Sequence, residues 1–204
     1  MTTAGDTVII DSGGANLASL AFALERQGAA ARLARHPRDL AGAARAILPG
    51  VGAAADAMSR LGASGLDDAI RQFTRPLLGI CLGMQLLFDR SDEGDTACLG
   101  MLPGRVTALL PVPGRPVPHM GWNTLQVLRP DPLLTGLGPG DWLYYVHGYH
   151  VTARPDDPAV LACTDYGVPV SAVVRRENMM GVQFHPERSG AAGARLLRNF
   201  LAID

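Results

Sequence analysis

The chain has 204 residues, 48% hydrophobic and 18% charged, enough to bury a core without a disulfide or metal staple. Its formal net charge is −1, with charges scattered along the chain, which leaves no footprint for nucleic acid or an anionic membrane. All 18 basic residues are arginine, which excludes Schiff-base chemistry, a pyridoxal phosphate linkage and a Walker-A lysine. There is no apolar run of about 18 residues, and the opening "MTTAGDTVII" has neither a basic region nor a cleavage site. A soluble, cytoplasmic protein is expected. Cys81, Cys98 and Cys163 are odd in number and widely spaced, which fits a reducing compartment better than a disulfide framework. No CxxC pair suggests a metal, and neither metal nor cofactor is expected.

In chain order, "TVIID" from Thr7 is a short apolar strand ending in the loop "SGGAN". A helix follows from Leu17, with Leu17, Leu20, Ala21 and Leu24 on one face and a stop at Gly28. "RAIL" at 45–48 predicts a strand closed by "PGVG", with helical segments over 54–61 and 66–73. "PLLGI" predicts a continuous apolar strand and "LGMQLLF" a helix. Strand and helix alternate, and the strands are apolar throughout, so a parallel sheet covered on both faces is expected. After Gly100 the pattern changes to strands separated by Pro, Gly, Asp and Asn turns: "GRVTALL", "DWLYYVHGYHV", "AVLACTDYG", "VPVSAVVRR" and "NMMGVQFHP". These are expected to add antiparallel strands, with "AAGARLLRNFLAI" as an amphipathic closing helix.

Gly79, Cys81 and Gly83 form G-x-C-x-G, the nucleophile-elbow pattern with sulfur for oxygen. A sharp strand-to-helix turn needs small residues on either side, and it exposes the central side chain where open α/β sheets place ligands. A helix N-terminus there would favour thiolate. On the pentapeptide alone, a buried thiol and a nucleophile are both open. "LPGVG" at 48–52 follows another strand and would emerge at the same sheet edge, offering backbone N–H donors to an oxyanion. In "GVQFHPERS", extended backbone puts His185 and Glu187 on one side, the arrangement of a base and its orienting acid. His36, His119, His147 and His150 lack a nearby acidic partner in the sequence or lie in polar loops, and are weaker bases.

Together these three elements resemble the class I, or triad, glutamine amidotransferase family, and the likeness spans nearly the whole chain. The resemblance implies a flavodoxin-like, mostly parallel central sheet flanked by helices, with added antiparallel strands, formed by residues 1–204 as one domain. It implies hydrolysis of L-glutamine to glutamate and ammonia through a cysteine thioester, with the ammonia passed to a synthase partner. "DSGGANLASL", "VPHMGWNTL" and "YYVHGY" are similar to the branch serving histidine biosynthesis. The partner in that branch is a (β/α)8-barrel cyclase, joined as a heterodimer, which forms imidazole glycerol phosphate and aminoimidazole carboxamide ribotide. By that resemblance Cys81 attacks the carboxamide, His185 shuttles protons and Glu187 orients it. Gly50, Val51 and Leu82 surround the oxyanion, while Gln85, His147, Gly148 and Tyr149 hold glutamine. Asn16, Trp122, Asn123 and Arg188 face the cyclase.

Some positions depart from the family. Ser12 and Ala15 stand where D-Y-G-x-G-N has Tyr and Gly. Gly148 stands where Ser or Thr follows the histidine, and Arg188 replaces Lys in "HPEKS". Glutaminases serving anthranilate or aminodeoxychorismate synthesis place His before the elbow glutamine and lack "PHMGWN", so Met84 and Trp122 separate this chain from them. A binding subunit without catalysis conflicts with the intact Cys81, His185 and Glu187. The 49–52 turn is expected to arrange its donors only in the complex, keeping the free chain slow.

Overall fold

A computed structural model describes residues 6–13, 16–152, 154 and 156–204. Ala15 lies outside them. The first half runs β1 (Thr7–Ile10), α1 (Leu17–Glu25), β2 (Ala31–Ala34), α2 (Pro37–Leu40), β3 (Arg45–Gly50), α3 (Ala54–Ser64), α4 (Leu66–Arg71), β4 (Leu77–Cys81) and α5 (Leu82–Gln85). The second half runs β5 (Phe88–Ser91), β6 (Thr96–Ala97), β7 (Leu102–Ala108), β8 (His119–Thr124), β9 (Gln126–Val127), β10 (Trp142–His147), β11 (Tyr149–His150), β12 (Val160–Asp165), β13 (Pro169–Arg176), β14 (Met179–Val182) and α6 (Gly190–Leu201).

The main sheet has eight strands in the order β2-β1-β3-β4-β14-β13-β12-β9. The first five are mutually parallel and the rest antiparallel. A four-stranded sheet, β11-β7-β5-β6, and the pair β10-β8 lie beside it. The unbroken apolar strands serve two cores because successive side chains point to opposite faces. Val8, Ile10, Ala46 and Leu48 join Leu61 and Ile70 of α3 and α4 on one side. Ile9, Ile47, Leu78 and Ile80 join Leu20 and Leu24 of α1 and Leu196 and Phe200 of α6 on the other.

Three expectations need correction. The helix predicted over 82–88 is a single turn, since Phe88 leaves it to pair with Leu102 in the second sheet. So short a helix has little macrodipole to offer the sulfur. The run "DWLYYVHGYHV" is two strands, broken at Gly148: β10 pairs with β8, whereas β11 crosses to β7. Lastly, β14 is not an antiparallel addition. It lies parallel to β4, with Val182 beside Ile80.

That third point positions everything that follows. Gly50 is the register partner of Cys81 on one side of β4, and β14 ends on the other side. Three parallel strands therefore deliver the glycine turn, the cysteine and the Gln183–His185 segment to one sheet edge.

Candidate functional site

Cys81 has φ +55° and ψ −112°, a left-handed conformation that costs a non-glycine residue about 1–3 kcal/mol. The surrounding structure enforces it through glycines. A Cβ on Gly83 would lie 1.7 Å from the Leu48 carbonyl oxygen, and one on Gly79 would lie 2.7 Å from backbone atoms of Gly83 and Met84. One on Gly50 would meet the Gly83 nitrogen at 2.7 Å. The G-x-C-x-G spacing and the first glycine of the 50–52 turn are thus one packing solution. Side-chain-free backbone lets β3 press against the elbow. At the start of α5, the Leu82 N–H has no partner within the helix, as at any helix start.

Beyond β14 the chain bends at Gln183 and Phe184, and Pro186–Arg188 form a 3-10 turn rather than the extended backbone expected there; the His185 N–H donates to the Tyr144 carbonyl at 2.8 Å. Ser189 locks the bend: its hydroxyl donates to the His185 carbonyl at 2.6 Å and accepts the Tyr144 N–H at 3.0 Å. Gly193 of α6 leaves room for the Pro186 carbonyl, which a Cβ would meet at 2.0 Å. The imidazole Nδ1 lies 2.8 Å from Glu187 Oε1, with both side chains under 10% exposed (7% and 9%). A carboxylate only accepts, so Nδ1–H donates. The buried Nε2 has no hydrogen-bond partner among the described residues. Burial alone would lower the histidine's proton affinity. The Cys81 sulfur and the Glu187 carboxylate oppose it, and the net result is a raised pKa. The imidazole therefore has its orienting acid on one nitrogen and the sulfur acting on it from nearby.

Two clefts share this wall. One, of ≈ 410 Å³, is lined by Val51, Cys81, Leu82, Gln85, Glu93 and the 146–149 segment. The other, of ≈ 440 Å³, is lined by Asn16, Gly50, Val51, Val146, His185, Glu187 and Arg188, among others. The first gathers Gln85, His147, Gly148 and Tyr149, and the second gathers Asn16 and Arg188. The Arg188 guanidinium sits 4.3 Å over the Tyr144 ring, and Trp122 meets the same ring edge-on at 5.8 Å. Asn123, next along β8, does not join them. Its amide donates to the Asp165 carbonyl at 2.9 Å, because neighbouring strand residues face opposite ways.

Sequence reasoning missed Glu93, Gln183 and Ser189. Glu93, in "SDEGD", is half-buried in the first cleft and accepts the Ala54 N–H at 2.8 Å. Gln183 stands in "GVQFHPERS" and is fully buried in the structure. The departures also have structural consequences. Ser12 is buried and its hydroxyl donates to the Pro49 carbonyl at 2.8 Å. A Cβ on Gly148 would meet only Val117, at 3.8 Å, so there is room for the missing hydroxyl residue. No helix among the described residues is long and apolar enough to cross a membrane.

Comparison with known proteins places this geometry in context. The family described as "Glutamine amidotransferase class-I" matches residues 8–203. "Imidazole glycerol phosphate synthase subunit HisH" of Xanthomonas axonopodis pv. citri (strain 306) is 54% identical over 98% of each chain. The protein of that name from Xylella fastidiosa (strain Temecula1 / ATCC 700964) is 52% identical over the same shares. In structure, "PurLQS from Thermotoga maritima" superposes with a TM-score of 0.71 at 22% identity, over 97% of this chain and 98% of that one, a likeness of fold alone. The elbow, the histidine–glutamate pair and the mixed sheet flanked by helices thus occur in a chain that belongs to the class-I glutamine amidotransferase family.

Proposed function

We propose that the chain hydrolyses L-glutamine and delivers the ammonia to a (β/α)8-barrel cyclase in a heterodimer, for imidazole glycerol phosphate formation in histidine biosynthesis. The observation that carries this is the buried His185–Glu187 pair, whose free Nε2 is influenced by the sulfur of a strained elbow cysteine. The 52–54% identity to imidazole glycerol phosphate synthase subunits supports the choice of synthase.

In this mechanism His185 takes the Cys81 proton and the sulfur attacks the glutamine Cδ. Charge on the carbonyl oxygen is met by the N–H of Leu82 and those of the Gly50–Val51 turn. Imidazolium Nε2–H protonates the departing nitrogen, and ammonia and a thioester form. His185 then deprotonates water, which attacks the thioester, and glutamate leaves as the sulfur regains a proton. Glu187 holds the imidazole and its positive charge throughout. The ≈ 410 Å³ cleft receives glutamine, with Glu93 opposite its α-ammonium and Gln85 and His147–Tyr149 along its length. The ≈ 440 Å³ cleft, on the histidine side, offers ammonia a way out past Asn16 and Arg188, toward the partner.

The strand order β2-β1-β3-β4-β14 supports a flavodoxin-like core within one domain over residues 1–204. Free Cys81, Cys98 and Cys163 support a cytoplasmic setting. The test is glutamate release by wild type and Cys81→Ala, with and without cyclase, together with imidazole glycerol phosphate formation using glutamine as sole nitrogen donor. Loss of both with Cys81→Ala is expected. Undiminished glutamate release by that variant would overturn the proposal.

A further inference from the structure

We infer that Gln183 is a hydrogen-bond donor to the reacting sulfur of Cys81, and that Gln85 is the positioning residue that keeps Gln183 turned to donate. The inference rests on Cys81 being the nucleophile and adds two residues to its machinery.

The direction of each amide follows from what its neighbours can accept. Gln85 Nε2 lies 2.8 Å from the Tyr149 carbonyl oxygen, which can only accept. Reversing that amide would bury two oxygens face to face. The second N–H of Gln85 therefore goes to Gln183 Oε1, at 2.9 Å. With its oxygen held there, Gln183 presents Nε2 to Cys81 Sγ at 3.7 Å. Gln183 is fully buried, so water offers it no alternative.

The Tyr149 carbonyl is anchored in turn. It accepts from His147 Nδ1 at 2.8 Å, and His147 Nε2 lies 3.1 Å from His119 Nδ1. Burial pushes the two histidines down, His147 to about 3 and His119 to about 4, so each is neutral near pH 7 with one N–H. His147 must spend its proton on the Tyr149 carbonyl, so its Nε2 accepts and His119 Nδ1 donates. Every link from β8 to the sulfur then has one possible sense.

Why the sulfur needs such a donor is visible in its other contact. As a thiol it points to the Val146 carbonyl, 3.7 Å away. Once ionised it can only accept, and that carbonyl becomes a repulsive neighbour. The one-turn α5 supplies little compensation. Gln183 and the protonated His185 remain as side-chain donors.

The experiment follows the pH dependence of Cys81 alkylation by iodoacetamide, by peptide mass spectrometry on the full chain without glutamine. Gln183→Leu removes the donor. Gln85→Met keeps Gln183, adds no charge and cannot donate to its oxygen, so Gln183 is no longer held with its N–H toward the sulfur. Both variants are expected to alkylate roughly tenfold to hundredfold more slowly near neutral pH, with the midpoint moved up one to two pH units and the alkaline plateau unchanged. A merely structural role would lower the plateau and leave the midpoint in place. An unmoved midpoint in both variants overturns the inference, whatever their glutaminase rates, while leaving the Cys81→Ala result to decide the function separately. In the wild type, the Gln183 side-chain amide resonance should shift with the same midpoint. A flat resonance would overturn the inference even if neither variant folds.

Discussion

His185 holds its proton more firmly than a free histidine because Cys81 and Glu187 outweigh its burial. A raised folded pKa contributes stability that is fully present below the unfolded value of about 6.5 and is lost as pH rises through the folded one. Glu187→Gln reduces that raising. Its stability deficit against wild type, measured by urea unfolding, should be largest near pH 6 and shrink toward alkaline pH. A deficit that grows with pH would contradict the assignment. The same variant should lose at least 10²-fold in kcat, since the imidazole loses both orientation and charge compensation. Glu93 tests substrate recognition. Steady-state kinetics of Glu93→Gln should show KM for glutamine up roughly tenfold and kcat within about threefold, the pattern of binding lost equally from ground and transition states.

At the level of elements, the elbow depends on three glycines that fill one another's missing side-chain space. Gly83→Ala would force a methyl against the Leu48 carbonyl, separating β3 from the turn. A cost of about 3 kcal/mol is expected, lowering Tm by roughly 6–12 °C for a chain of this size, with glutaminase activity lost alongside. Scanning calorimetry with a parallel assay checks both. Much of this was legible: the glycines around Cys81 and the apolar continuity of β4 each state a local requirement, whereas His185 and Glu187 meet through a 3-10 turn and not the extended backbone expected from their spacing. What escaped depends on partners far away in the sequence. Nothing in "NMMGV" says that it runs parallel to "LLGIC". Nothing in "LGMQLLF" says that Phe88 will leave the helix for a second sheet. The carboxylate of Glu93 is drawn inward by the start of α3, 39 residues away. Ser12 gains its meaning only through the Pro49 carbonyl, which ties the first loop to the glycine turn.

For the whole molecule, two clefts share Val51 and Val146 in their walls, and the proposed function assigns glutamine entry to one and ammonia exit to the other. Arg188, Tyr144 and the half-exposed Trp122 form one stack near the exit. Trp122→Ala should weaken cyclase binding by about ten- to a hundredfold in a titration by calorimetry, as loss of an aromatic anchor does, and leave iodoacetamide labelling of Cys81 unchanged. Altered labelling in the free chain would mean that the stack supports the elbow rather than the partner. The stack draws on β8, β10 and the segment after β14, so the proposed cyclase surface is built by the same strands that place the base.

The placement of β14 between β4 and β13 has a consequence for the making of the protein. Gln183 follows Cys81 by 102 residues. A nascent chain therefore displays its cysteine and glycine turn while the imidazole has yet to leave the ribosome, and insertion of a late strand into the middle of the sheet closes the circuit. Half-made copies that end between Cys81 and His185 carry the sulfur without its base. The order of synthesis thus makes the imidazole and its carboxylate the last of the three groups to arrive.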